Sequence, residues 1–321
     1  MDFPFDIRWP LVGLLGCSAA INVVLVLNQS DVRAPVPVAE VVQQQEIVEP
    51  IAEPIEVAQD WKVLHLKVHR SLSQTFAKAE PSHGSALSAV YSRLFMWDIN
   101  MRRDLQKGDK VEVVYRINDD GLPEVAAARF HSKKKQKIFS AYRWKAPFDK
   151  YESFWASDGT EAAYRLKNTP IKEYDQVTSL LKDRPTHKGM DFKAPVGVPT
   201  IAPKSGVVTR VNFGNYSYNG GCVEVKFSDG VLAKYLHLSE VKVKAGASVR
   251  KGTVVGLVGN TGRSTAPHLH YQLDKGRKNI DPIDYHGTIR RSLPASAMGN
   301  FMSETAPYMN LLDQGGSVAG L

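Results

Sequence analysis

Four of the nine histidines in this chain fall within three short fragments of its C-terminal half. They are Thr186-His187-Lys188-Gly189-Met190-Asp191-Phe192, Tyr235-Leu236-His237-Leu238-Ser239 and Pro267-His268-Leu269-His270-Tyr271. Residues two apart on a strand share a face, so His268 and His270 project together while Leu269 turns into a core. Two histidines and one aspartate offer a borderline-soft cation such as zinc three protein ligands and leave a fourth position for water. A metal so held brings the pKa of its water toward neutrality and polarises a carbonyl, which is what amide hydrolysis requires. Singly, each fragment is unremarkable: His-x-His pairs and surface His–Asp pairs are frequent. Their order and company give them meaning.

Around these fragments, short Val/Ile-rich runs alternate with glycines from Gly189 to Gly262, which predicts an all-β domain with tight turns. Upstream the texture differs. Leu64, Leu66 and Val68 alternate with His65, Lys67 and His69 in a strand pattern, and both histidines are expected to face solvent rather than a metal. Helices are expected over Ser71–Ala79 and Ser85–Met96, the second with Leu87, Val90, Tyr91, Leu94 and Phe95 on one face. From Lys110 onward, strands are expected around Val111–Tyr115, Val125–Phe130, Ile138–Trp144, Tyr151–Phe154 and Ala162–Leu166. Lys133, Lys134, Lys135 and Lys137 surround the next turn and are read as a solvated hairpin tip rather than a polyanion site.

Residues 183–284 resemble the LytM/lysostaphin-type zinc endopeptidases. The run from His187 to Pro199 matches their His-x-Gly-x-Asp entry with its following Ala-Pro-x-Gly-x-Pro. Tyr235–Ser239 matches their second motif, and Gly256–Thr265 leads into Pro267-His268-Leu269-His270 as in that family. The resemblance implies zinc ligands at His187, Asp191 and His270 and catalytic histidines at His237 and His268. Which of the two takes the water proton is left open. Ala266 departs from the usual glycine, and the segment Tyr174–Pro185 is shorter than in many relatives. A weaker likeness, over Ala89–Asn100 and Asp104–Lys110, is to the non-catalytic domain of three-domain, membrane-anchored relatives in Gram-negative bacteria. Those enzymes cut D-alanyl–diaminopimelate cross-links, and in several of them the N-terminal domain can cover the cleft.

The formal net charge of +8 suits an anionic partner. Nucleic acid would explain the charge but not the histidine set, and none is expected as a partner. Trp9–Leu27 carries no charged residue; as a helix it would rise roughly 28 Å, enough to cross a bilayer core. A cleaved signal is the rival reading. Residues 31–58, rich in Pro, Val and Glu and without an aromatic, read as an extended tether. The two cysteines, Cys17 and Cys222, form no expected disulfide.

The resulting expectation is a mainly β protein. An anchor (1–30) and linker (31–58) precede an α+β regulatory region (59–170), an antiparallel β metallopeptidase domain (171–290) and a C-terminal tail (291–321). It would be a single-pass inner-membrane protein with its catalytic part in the periplasm, hydrolysing peptide stems of peptidoglycan with zinc, under intramolecular or protein regulation. The competing reading is an inactive member of the same fold that activates wall amidases; a plain wall-binding module is the third.

Overall fold

The computed structural model describes residues 60–213 and 218–314. The expected anchor and linker lie outside these residues. The expected inner-membrane placement is corrected: among the described residues no helix is long and apolar enough to cross a membrane.

The described chain begins with β1 (Lys62–Lys67), α1 (Leu72–Ala79) and α2 (Gly84–Phe95), followed by β2 (Lys110–Ile117), β3 (Pro123–Ser132), β4 (Lys137–Trp144) and β5 (Ser153–Trp155). Ser71 caps α1 by accepting the Gln74 N–H. The five strands form one antiparallel sheet in sequence order. Both of its faces are buried. Val111, Val113, Tyr115, Ala128 and Phe130 meet α1 and α2 through Leu72, Phe76, Leu87, Tyr91, Leu94 and Phe95. Val114, Ala126, Ala127, Tyr142 and Trp144 turn the other way.

What covers that second face comes from the far end of the chain. Residues 295–314, within the stretch expected to be a tail, form α4 (Ala295–Gln314). Phe301 of α4 is fully buried and sits edge-on to Trp144, ring centroids 5.6 Å apart. The Trp144 Nε1–H donates to Glu304 Oε2 at 2.9 Å, and Trp61 meets Tyr308 at 5.4 Å. The small side chains of Ala126 and Ala127 on β3 leave room for this close packing.

Between these two ends lies the second β region. It comprises β6 (Arg165–Leu166), β7 (Gln176–Ser179), β8 (Met190–Lys193), β9 (Pro199–Ile201), β10 (Gly206–Asn212), β11 (Gly221–Phe227) and β12 (Leu232–Leu238). It continues with β13 (Glu240–Val241), β14 (Ser248–Val249), β15 (Val254–Leu257), β16 (His268–Lys275), β17 (Lys278–Ile280), α3 (Pro282–His286) and β18 (Thr288–Ile289). Its main antiparallel sheet has the order β14-β10-β11-β12-β16-β8-β7, with β17 also paired to β16. One face of that sheet buries Val223, Val225, Tyr235, Leu269, Tyr271 and Phe192. A smaller sheet, β13-β15-β9, closes over the same core.

Ion pairs join the two regions. β6 pairs with β18, and Glu161, almost fully buried, receives N–H donors from both Arg165 and Arg291. Arg291 also grips both carboxylate oxygens of Asp149 at 2.6 and 2.8 Å. Met96 and Trp97, beyond α2, pack on the second core. Burial opposes ionisation of Glu161, but its two arginines hold its carboxyl below the usual carboxylate range.

Candidate metal centre

Strand register accounts for most of the centre. On β16 and β8, His270 stands opposite Asp191 and His268 opposite Lys193, and Ser179 of β7 also pairs with Asp191. Opposed residues share a face, so His268, His270 and Asp191 lie together on the face away from the core. Gly189 makes this approach possible, since a Cβ there would lie 2.4 Å from the Tyr271 carbonyl oxygen and 2.9 Å from His270 Nε2.

His237 reaches the same place by a different route. Along β12, Tyr235 lies opposite Tyr271 in the core, and Leu236 lies opposite His270 on the site face. Strict alternation would turn His237 back into the core. It does not turn back, because His237 adopts φ 65°, a left-handed conformation uncommon for a side chain with a Cβ. The pairing of β11 with β12 shifts register at the same point, between Gly221 and Val223. The His237 ring consequently stacks 4.8 Å from that of His268 and 6.1 Å from that of His270. Gly259 runs close beneath, where a Cβ would meet Ser239 N at 2.3 Å.

His187 enters from the loop between β7 and β8. Its Nε2 lies 3.0 Å from Asp191 Oδ2, and its ring lies 5.1 Å from the His270 ring. The His270 Nδ1 is 2.7 Å from Asp191 Oδ1. One donor atom from each of His187, Asp191 and His270 fits within a 4.8 Å span. His187, Asp191, His237 and His270 are buried, and the His268 side chain is 18% exposed.

Backbone carbonyls set the tautomers. Nδ1 of His187 lies 2.7 Å from Leu180 O, that of His237 2.8 Å from Thr261 O, and that of His268 2.8 Å from Ala266 O. A carbonyl oxygen only accepts, so each Nδ1 carries a hydrogen, and Nε2 is left as the atom of each ring that could coordinate a metal or exchange a proton. His187 Nε2 is buried and has no well-aligned hydrogen bond, although it lies 3.0 Å from Asp191 Oδ2. A buried nitrogen of this kind beside a carboxylate and a second imidazole is a donor set that suits a divalent metal.

Electrostatics favour a cation here. Burial works against charge on His187, but Asp183 and Asp191 outweigh it and raise the ring's proton affinity. Burial likewise opposes the Asp191 carboxylate, and His187 and His270 hold it well below the usual range. His237 moves the other way: burial, with the neighbouring histidines, pushes it down to about 4, so it is neutral at pH 7.

All five residues singled out by sequence come together. Neither histidine of β1 and its end takes part. His65, expected to face solvent, is only 14% exposed in its side chain and lies 3.9 Å from Glu112, opposite it on β2. Sequence reasoning missed Arg184, whose guanidinium donates to Ser179 Oγ and Asp191 Oδ2 at 3.3 and 3.4 Å, and Asp183, 3.3 Å from His187 Nδ1. Both lie within the short segment Tyr174–Pro185 before His187, where an ordinary surface charge gives no pattern to read.

An antiparallel sheet presenting two imidazoles and one carboxylate that could hold a metal, with two further histidines beside them, is an arrangement suited to metal-assisted hydrolysis. The profile of peptidase family M23 matches residues 185–282, so this part of the chain is an M23 domain. Among curated relatives, the peptidoglycan DD-endopeptidase ShyA of Vibrio cholerae is 28% identical over 220 residues, 64% of this chain and 49% of the relative. ShyC of the same organism is 27% identical over 237 residues, 70% of this chain and 53% of the relative. The chain thus spans about half the length of these relatives. The solved catalytic domain of the prophage-encoded M23 protein EnpA from Enterococcus faecalis is 34% identical, with 37% of this chain and 92% of that domain covered and a TM-score of 0.31.

Proposed function

We propose that this protein is a zinc-dependent endopeptidase that hydrolyses peptide cross-links of peptidoglycan, with the D-alanyl–diaminopimelate bond as its target. The observation that carries the reading is the convergence of His187, Asp191 and His270 beside two imidazoles whose Nδ1 atoms are held by backbone carbonyls. The M23 domain and the printed names of the Vibrio relatives support the substrate class. The alternative of an inactive activator is not favoured, because all five positions are filled.

His187, Asp191 and His270 would hold zinc, which when bound supplies an acidified water and a polarised carbonyl. His237 and His268 then divide the proton work. One Nε2 lone pair accepts the proton of the attacking water and then delivers that same proton to the leaving amine, while the other ring, protonated at Nε2 from solvent, donates a hydrogen bond to the oxyanion and keeps its proton. Their Nδ1–H bonds to Thr261 O and Ala266 O hold both rings in orientation during the exchange. Region 59–170 acts on this centre from its rim, where the Arg102 guanidinium donates to the Asp183 carbonyl at 2.9 Å. Digestion of purified sacculi followed by mass analysis of the fragments tests the proposal. New amino termini on diaminopimelate support it, and intact cross-links after full metal loading refute it.

A further inference from the structure

Exposed cations gather on three segments that direct contacts tie together. The turn between β3 and β4 carries Lys133 and Lys135, and the loop after α2 carries Arg102, Arg103 and Lys107. The turn is seated on that loop: Lys134 Nζ donates to the Arg103 carbonyl at 2.8 Å and pairs with Asp104 at 2.9 Å, and the Lys133 N–H donates to Asp109 Oδ1. The loop in turn reaches the metal centre, where Arg102 bonds the Asp183 carbonyl next to Arg184. Arg184 is 62% exposed in its side chain and contacts Asp191. A row of positive charge therefore runs from the hairpin turn to the rim of the centre.

The acids within the row do not neutralise it. Asp104 is shared by Lys134 and Lys135. Asp109 is buried, and its carboxylate accepts the backbone N–H groups of Gln106 and Lys133. Asp183 faces His187 as well as Arg184. Arg102, Arg103, Lys107 and Lys133 remain exposed without a carboxylate of their own among the described ion pairs.

We propose that this row is a docking surface for the anionic, carboxylate-bearing peptide–glycan polymer of the wall, holding a strand whose cross-link enters the centre; this rests on the peptidase reading above. Each exposed lysine contributes little alone, but a row of like charge raises the local concentration of a polyanion and is screened by salt. The row ends at the centre, where a polymeric substrate must lie and a lipid surface need not.

The test is pelleting of the full chain with purified sacculi on ice while salt is raised from about 0.05 to about 0.5 M. Wild type should dissociate as salt rises. The triple variant Lys107→Ala, Lys133→Ala, Lys135→Ala should bind about tenfold more weakly with a flatter salt dependence, and amidation of the sacculus carboxylates should weaken wild type similarly. Pelleting needs no hydrolysis, so its outcome is independent of the digestion that tests the catalytic reading. Equal binding by variant and wild type, or indifference to amidation, overturns the proposal. So does a variant defect seen with vesicles of anionic phospholipid but not with sacculi. If the alanine variant melts early, the Lys→Arg variant at the same three positions replaces it and must bind like wild type; weak binding by that variant also overturns the idea.

Discussion

At the residue scale, the centre sets two expectations that separate metal from backbone. Replacing Asp191 with Ala leaves two imidazoles, so zinc content by elemental analysis should fall by at least about tenfold while the β-type circular dichroism persists. A full equivalent of zinc in that variant would remove Asp191 from the ligand set. His237 allows a different test, because its φ of 65° disfavours any side chain with a Cβ. His237→Gly and His237→Ala should both lose sacculus digestion while keeping zinc, yet the glycine variant should be more stable by about 1 kcal/mol. Equal urea midpoints for the two would mean that the backbone there relaxes at no cost. The shared face of His268 and His270 was legible in the sequence because i, i+2 spacing dictates it, whereas their union with His187 and Asp191 was implied only by the family resemblance. The means by which His237 joins them was not, since alternation along β12 assigns it to the core and a left-handed turn leaves no mark in residue type.

At the element scale, strands and helices of the upstream region were legible from periodicity, with α2 shifted by one residue and the Ala162–Leu166 strand reduced to Arg165–Leu166. The role of α4 was not legible. Its partner sheet lies more than 150 residues away in sequence, and no local pattern announces a contact of that range. Phe301→Ala should cost about 3–5 kcal/mol, because it empties a fully buried site between α4 and Trp144. Loss of less than 1 kcal/mol by urea titration would show that α4 is loosely attached. The Glu161 cluster predicts a pH signature. Its carboxyl is depressed in the folded state, so its stabilisation is present above the ordinary glutamate range and is lost as pH falls through the lower folded value. Wild type should exceed Glu161→Gln in stability by about 3 kcal/mol at pH 7, and the gap should close with acid. A gap that stays constant down to pH 3 would assign the effect to shape rather than charge.

At the scale of the whole molecule, the upstream region is either a cover for the centre or a frame that positions it. A shortened chain meant to isolate the peptidase should end near residue 294, because one that keeps α4 without β2, β3 and β4 exposes Phe301, Ala297 and Leu312. If the region covers the centre, residues 171–294 should digest sacculi faster than the full chain at equal zinc loading. Slower digestion by a well-folded short chain would leave only the positioning role.

The return of α4 to the opposite end of the chain also sets an order of events during synthesis. On the ribosome, β1 to β5 emerge first, yet one face of their sheet has no cover until the final turns of α4 are made. The peptidase sheet, whose strands are all translated by residue 280, has its own core complete before that moment. The upstream region is therefore begun before the peptidase core and finished after it, and released chains ending at residue 294 should show a protease-resistant centre behind a protease-sensitive front.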